Sequence, residues 1–436
     1  MSVLIVSSRF LRENPCRELT VRDALRRRGV DADLATVGRG LSGLGYTAAD
    51  LAAHPALADG PHITSLRDFW RAVHPYRAVV LDAWKSSIAL AEIAQIAGLV
   101  VFDHDSSGGF DHYPVDSDVT FFKSPAAARV FQLWATPEWS RSPATLRDRR
   151  VVITGGILHE RWQPGPPAER GDFLRRYGLE PARRTALFFP KGIRIFEDKL
   201  NGWFKERGPA VNEWYLRTTE RIVRAADEAA VNLIVKLHPS AYASYRTRAD
   251  EEHAFWTQYP RVAVLAAEDT HAAYAHADVG LSIVSHAVLD LAYHLRPFVY
   301  VDSAEAPLAA KLTYWTKPGL CTLPIGPSVG WAAPPAVHPN PYFASWVGAY
   351  STSGELRATL ADERYRDEDP EHYRVFNREF WSGADGHAAE RMADEIVAQL
   401  RESRRRRFWS GRAPVGWLLE PGPLRRSVRR LVEATR

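Results

Sequence analysis

Short, uninterrupted apolar runs separated by helix-length segments organise this chain. In the first third, the stretches 3–6, 32–37, 78–82, 99–102, 119–122 and 151–154 are rich in Val, Ile, Leu, Ala and Phe. Runs of that length without polar alternation read as strands covered on both faces. The intervening segments 19–28 and 87–97 carry helical periodicity, and Gly29 and Gly98 stand where a glycine ends a helix. Strands alternating with helices predict βαβ units and a parallel sheet. The pattern pauses at Gly165-Pro-Pro-Ala168, which places a boundary near Pro167. It resumes with a strand at 185–189, a helix over 212–230, and strands at 231–237, 261–265, 277–283 and 297–302. Beyond Asp302 a Pro-rich, aromatic stretch to about Tyr350 reads as an irregular connector, followed by helices near 353–362 and 385–400. The expected organisation is an N-terminal Rossmann-like domain (1–167), a C-terminal Rossmann-like domain closed by a helix (168–400) and a basic, aromatic tail (401–436).

Composition narrows the class. The chain has 436 residues, 46% hydrophobic and 25% charged, as expected of a globular protein of two to three domains with full cores. Two cysteines, Cys16 and Cys321, exclude a disulfide framework and a cysteine-based zinc cluster. No run reaches the ~18 apolar residues of a membrane span, and the opening Met1–Ser8 has no basic region of a secretory signal. Both observations predict a cytoplasmic location. The net charge of +4 is uneven: 401–436 holds 11 Arg against 3 Glu, so the remainder is mildly acidic. Arg beside Phe408, Trp409 and Trp417 suits an anionic membrane surface, at ~1 kcal/mol per basic residue near the bilayer. It also suits nucleic acid, the less favoured partner, and a solubilising tail is the plain alternative.

The chemistry-bearing residues fall at predicted strand ends, where ligands bind to parallel sheets. Lys236-Leu-His238-Pro239 closes one strand, and Ser282-Ile-Val-Ser285-His286 follows another and leads into a helix. Serines there can cap the helix or hold an anion, and one geometry serves both. Lys191 and Arg194, on a glycine-containing loop after the 185–189 strand, suit a phosphate or a solvated surface. Asp103-His104-Asp105-Ser106-Ser107-Gly108 follows the 99–102 strand and supplies carboxylates for a general base, or caps its own turn. Asp103 and Asp105 could also hold a cation. The formal Gly38-x-Gly40-x-x-Gly43 follows the second strand and reads as a turn.

The Lys236-Leu-His238-Pro239 strand end, the Asp278…Ser282-x-x-Ser285…Asp290 segment and Asp385-Gly…Arg391 resemble GT-B transferases of cell-surface polymer synthesis. They are most similar to the CDP-glycerol glycerophosphotransferase group, with His-Pro and Ser motifs shared by capsule polysaccharide transferases and bacterial polysialyltransferases. The resemblance covers 185–400 and extends to the first half in pattern only. It implies an α/β GT-B fold, two Rossmann-like domains facing across a cleft. It implies a glycosyltransferase that moves a sugar from a nucleotide-activated donor to a cell-surface glycan or lipid-linked acceptor, with no cofactor or metal. His238 would act on the donor phosphate as acid or electrostatic stabiliser. Ser282, Ser285 and His286 would hold the donor with Lys191, Arg194, Lys236 and Pro239. Asp105 or Asp103 would be the base, with His104, Ser106, Ser107 and Gly108 on the acceptor side. The alternatives are a CDP-glycerol-type glycerophosphotransferase, although the Trp-His-Gly tripeptide of that group is absent, a GT-B-like sugar-nucleotide epimerase, and a nucleic-acid-binding or -modifying protein. The tail would attach the enzyme peripherally to the inner face of the membrane.

Overall fold

The computed structural model describes residues 1–104, 115–125, 127–128, 150–162, 169–190, 192, 202–238, 249–283, 285, 287–302, 349–366, 370–382 and 385–406. The chain forms two compact units, Met1–Pro164 with Phe380–Arg436, and Gly165–Glu379.

The first unit is built on seven parallel strands: β1 (Ser2–Ser7), β2 (Asp31–Val37), β3 (His62–Ile63), β4 (Ala78–Asp82), β5 (Val100–His104), β6 (Val119–Phe122) and β7 (Arg150–Ile153). Their order is β3-β2-β1-β4-β5-β6-β7. Ile5 pairs with Leu34 on one side and Val80 on the other. The apolar runs are uninterrupted because both faces are covered. Val3, Ile5, Ala78 and Val80 join one core with Leu19, Leu25 and Met392. Leu4, Val6, Val79 and Leu81 join the opposite core with Phe69, Leu90 and Ile93. Each such side chain contributes about 1.5–3 kcal/mol by leaving water, so a polar residue on either face would be costly.

The second unit repeats the winding with six parallel strands: β8 (Thr185–Phe188), β9 (Asn232–Val235), β10 (Val262–Val264), β11 (Val279–Ser282), β12 (Phe298–Val301) and β13 (Ala349–Ser351). Their order is β10-β9-β8-β11-β12-β13. Leu233, Val235, Val279, Leu281 and Val299 share one core with Tyr215, Ile222 and Trp256, the first two from the long Gly202–Glu228 helix. Asp278 fastens the foot of the sheet: its Oδ2 accepts from the Thr185 amide at 2.8 Å and from Arg170 at 2.8 Å.

Two expectations are corrected. The sequence assigned 168–400 to a single C-terminal domain, but the last helix, Ala388–Arg406, belongs to the first unit. Its apolar stripe, Met392, Ala393, Ile396, Val397 and Leu400, sits in the same core as the Arg17–Arg27 helix. The crossing back falls near Phe380, and the first boundary at Pro164, not Pro167. The Asp385-Gly…Arg391 motif therefore lies in the first unit, where it is an anchor. Arg391 takes both Asp385 oxygens at 2.8 and 2.9 Å and donates to the Thr154 carbonyl. Strands β3 and β13 and the helices Leu66–Val73 and Pro370–Trp381 were not foreseen.

Candidate functional site

Each sheet has a point where its winding reverses, between β1 and β4 in the first unit and between β8 and β11 in the second. Connections leave on opposite sides there, which opens a crevice beyond the carboxyl ends of the two strands.

In the first unit, β1 ends in Ser7-Ser8-Arg9 and β4 in Asp82-Ala83-Trp84. Arg9 Nε lies 3.5 Å from Asp82 Oδ2, and its guanidinium carbon is 4.5 Å from the centre of the Trp84 ring. Ser87, from the Lys85–Ile96 helix, donates to Asp82 Oδ1 at 3.0 Å. Beneath them Arg17 lies 2.5 Å from Glu18, with both side chains fully buried. Arg17 also donates to the carbonyls of Arg9 and Asn14, at 3.3 and 3.4 Å. Ser7 Oγ and the Tyr46 hydroxyl lie 2.6 Å apart. Burial raises the Glu18 carboxyl to about 7, outweighing the opposing pull of Arg17, and it drives the Tyr46 phenol up as well. None of these residues was among the sequence-derived candidates. A clue was present: Arg17 and Glu18 occupy positions four and three residues before Val21, on the stripe that otherwise carries Leu19, Val21, Ala24 and Leu25 into the core.

The aspartate candidates lie one strand further out. Asp103, in β5, is fully buried. Its Oδ1 accepts from Ser117 and, at 2.7 Å, from Thr120, which ties β5 to β6 and the turn before it. His104 ends β5 and is buried, with its backbone paired to Asp82. Asp105, Ser106, Ser107 and Gly108 lie outside the described residues. Of the Gly38-x-Gly40-x-x-Gly43 stretch, a Cβ on Gly40 or Gly43 would meet nothing within 4 Å, whereas one on Gly45 would stand 2.3 Å from the Val37 carbonyl oxygen. The glycine this turn requires is Gly45.

In the second unit, β8 leads through Phe189 to Gly192, whose φ of 108° suits glycine. β11 ends at Ser282, fully buried, whose hydroxyl has no hydrogen-bond partner among the described residues. Ser285 is buried and accepts from the Ala287 amide at 3.2 Å, capping the turn before the Val288–Tyr293 helix. Lys236 and His238 are part-buried just past β9, the neighbour of β8. β11 also holds Gly280, where a Cβ would lie 1.9 Å from Leu291 Cδ1, so the helix that carries Leu291 sits directly on the strand. Asp290 in that helix accepts from the Tyr274 hydroxyl at 3.0 Å. Lys191, Arg194, Pro239 and His286 lie outside the described residues. Ser282 and Ser285 thus stand at or just past the carboxyl end of β11, and Lys236 and His238 just past that of β9.

No family model matches the sequence, and no curated protein matches it. Solved structures do match the fold. UDP-N-acetylglucosamine 2-epimerase from Rickettsia bellii aligns with a TM-score of 0.53 at 12% identity, covering 94% of this chain and 98% of that one. MnaA from S. aureus, solved with UDP, aligns with a TM-score of 0.51 at 11% identity, over 92% and 97%. UDP-GlcNAc 2-epimerase from Neisseria meningitidis, bound to UDP-GlcNAc, aligns with a TM-score of 0.50 at 10% identity, over 91% and 100%. At these identities the likeness establishes architecture, and with the two sheet orders it makes the fold GT-B, with two Rossmann-like domains.

Proposed function

We propose that the chain is an enzyme acting on a nucleotide-activated sugar, with the nucleotide phosphates held at the switch point of the second unit. The observation that carries this reading is Ser282. A fully buried hydroxyl without a partner costs about 1–3 kcal/mol, and it stands at the carboxyl end of β11, where an α/β sheet binds its ligand. Gly192, on the loop after β8, lets backbone approach that ligand closely. Lys236 and His238 supply charge and a proton donor from the neighbouring strand end, and a charged phosphate is what such groups stabilise.

Two reactions fit this site. Epimerisation of a UDP-linked sugar is supported by the three neighbours above, two of them solved with UDP or UDP-GlcNAc. Transfer of the sugar to a glycan or lipid-linked acceptor is supported by Lys236-Leu-His238-Pro239 and by the arginine-rich tail, for which a soluble epimerase has no use. In the transfer reading His238 stabilises the departing phosphate, Asp105 or Asp103 deprotonates the acceptor, and 401–436 attaches the enzyme to an anionic membrane surface. Among the described residues, no helix is long and apolar enough to cross a membrane.

A thermal-shift series with UDP, CDP, CMP and GDP, each free and sugar-linked, tests the binding. Ligand at 100 times its Kd stabilises by about 2.7 kcal/mol, and Ser282→Ala is expected to weaken affinity about tenfold. The reading fails if no nucleotide raises the melting temperature, or if Ser282→Ala binds as tightly as the parent. NMR of the bound sugar nucleotide then separates the reactions. A new epimer with the nucleotide still attached marks the first, and free nucleotide released only when acceptor is present marks the second.

A further inference from the structure

The nucleotide reading leaves the charged network at the first unit's switch point without a task. Three features there call for a ligand. Ser8 follows β1 and is fully buried, and its hydroxyl has no partner among the described residues; Ser86 is half-buried, but its enclosed hydroxyl oxygen likewise has no partner among them. The Lys85–Ile96 helix begins at Trp84, which gives its first turn no side-chain acceptor, and that turn contains no acidic residue. Its leading N–H groups thus present partial positive charge to the crevice. Arg9, beside Ser8, is fixed at this helix start by Trp84 and Asp82, and Arg17 holds the Arg9 carbonyl from below. Buried ion pairs are seldom more stabilising than apolar residues of the same volume. Stability therefore does not explain burying Arg9 against Asp82 or Arg17 beside Glu18, whereas fixing an arginine in place does.

We propose that the switch point of the first unit is an oxyanion site in its own right, in which Arg9, the hydroxyls of Ser8 and Ser86 and the start of the Lys85–Ile96 helix take the carboxylate or phosphate of a sugar ligand. That the ligand is a sugar rests on the nucleotide-sugar reading; the oxyanion chemistry does not. Carboxylate and phosphate offer the same acceptor oxygens to a guanidinium, so the probes separate them.

The test is calorimetric titration of the whole chain with D-glucuronate, D-glucose 1-phosphate and D-glucose, each with and without saturating UDP. At least one charged sugar should bind and glucose should not. Arg9→Gln should weaken that binding about 10- to 100-fold, Arg9→Lys should weaken it less, and Ser86→Ala should weaken it several-fold without touching the ion pairs. UDP should leave it unchanged. Equal binding of glucose, no binding of either charged sugar, or undiminished binding by folded Arg9→Gln or Ser86→Ala would overturn the proposal. Displacement by UDP would overturn it too, because the anion would then be the nucleotide's own phosphate. Failure of UDP to bind at all sinks the reading of the second unit and leaves this one standing.

Discussion

Glu18 offers a quantitative check on the buried network. Its carboxyl is completely enclosed, and burial holds its pKa at about 7 against an ordinary 4.5 despite Arg17 at 2.5 Å. The folded protein therefore keeps a proton on Glu18 at pH values where the unfolded chain has released it. Where the native state binds more protons, stability falls as pH rises. The contribution is fully present below about pH 4.5, declines through the interval, and is lost above about pH 7. With ~1.4 kcal/mol per pH unit, the whole window is worth about 3 kcal/mol. Glu18→Gln keeps the shape and removes the titration. Hydrogen exchange of the β1 amides, corrected for intrinsic rates, reads the opening free energy of this unit. Between pH 5 and 7.5 the parent should lose roughly 2 kcal/mol more than Glu18→Gln. Glu160, also raised to about 7 mainly by burial, slopes the same way in both proteins and cancels in the difference. A parent curve parallel to that of the variant would refute the argument. So would one rising with pH relative to it, since that is the behaviour of a carboxylate kept ionised by Arg17.

Three further variants probe features on which the sites depend. Ser117→Ala with Thr120→Val removes the Ser117 and Thr120 donors to Asp103 Oδ1 and should cost about 2–5 kcal/mol in chemical denaturation; a loss below 1 kcal/mol would mean that Asp103 does not need them. Gly280→Ala forces the Leu291 side chain to move away from β11 and should cost about 1–3 kcal/mol, with a weakened response to nucleotide in the thermal-shift assay; wild-type melting would show that Leu291 yields freely. Glu160→Ala strips the carboxylate that accepts from the Ala388 and Ala389 amides at the start of the last helix. It should cost about 1 kcal/mol, seen as faster exchange across 388–392, and unchanged exchange there would count against the cap.

The strands were readable from the sequence because of how they are buried. β1, β4 and β11 are covered on both faces, so their apolar runs are continuous, and the strand-end positions of Ser282 and His238 follow from that alone. Periodicity gives an element and its apolar face but not the core that the face will join. The Ala388–Arg406 helix has a legible stripe at Met392, Ile396 and Leu400, yet nothing in the stripe says that it packs beside the Arg17–Arg27 helix rather than with the residues just before it.

The same limit hid the first unit's network, and it shows where such reasoning can be extended. Arg9 and Asp82 meet because β4 lies next to β1, a pairing set by the reversal of the winding and not by any local motif. Asp103 drew notice because three polar residues cluster in sequence, but its Oδ1 accepts from Ser117 and Thr120, so part of its polarity is spent on joining β5 to β6. Asp82 drew none, standing alone in an apolar run, yet it ends a strand at the switch point. Two conditions together are more discriminating than clustering: a polar residue closing an apolar strand, and charged residues on the core stripe of the helix that follows β1. Ser7-Ser8-Arg9 and Arg17-Glu18 meet both, and in a parallel sheet the first strand of the winding is the one that borders the crevice. A lone charge at that position points to a partner on the neighbouring strand end, as Asp82 closing β4 meets Arg9 just past β1 at 3.5 Å.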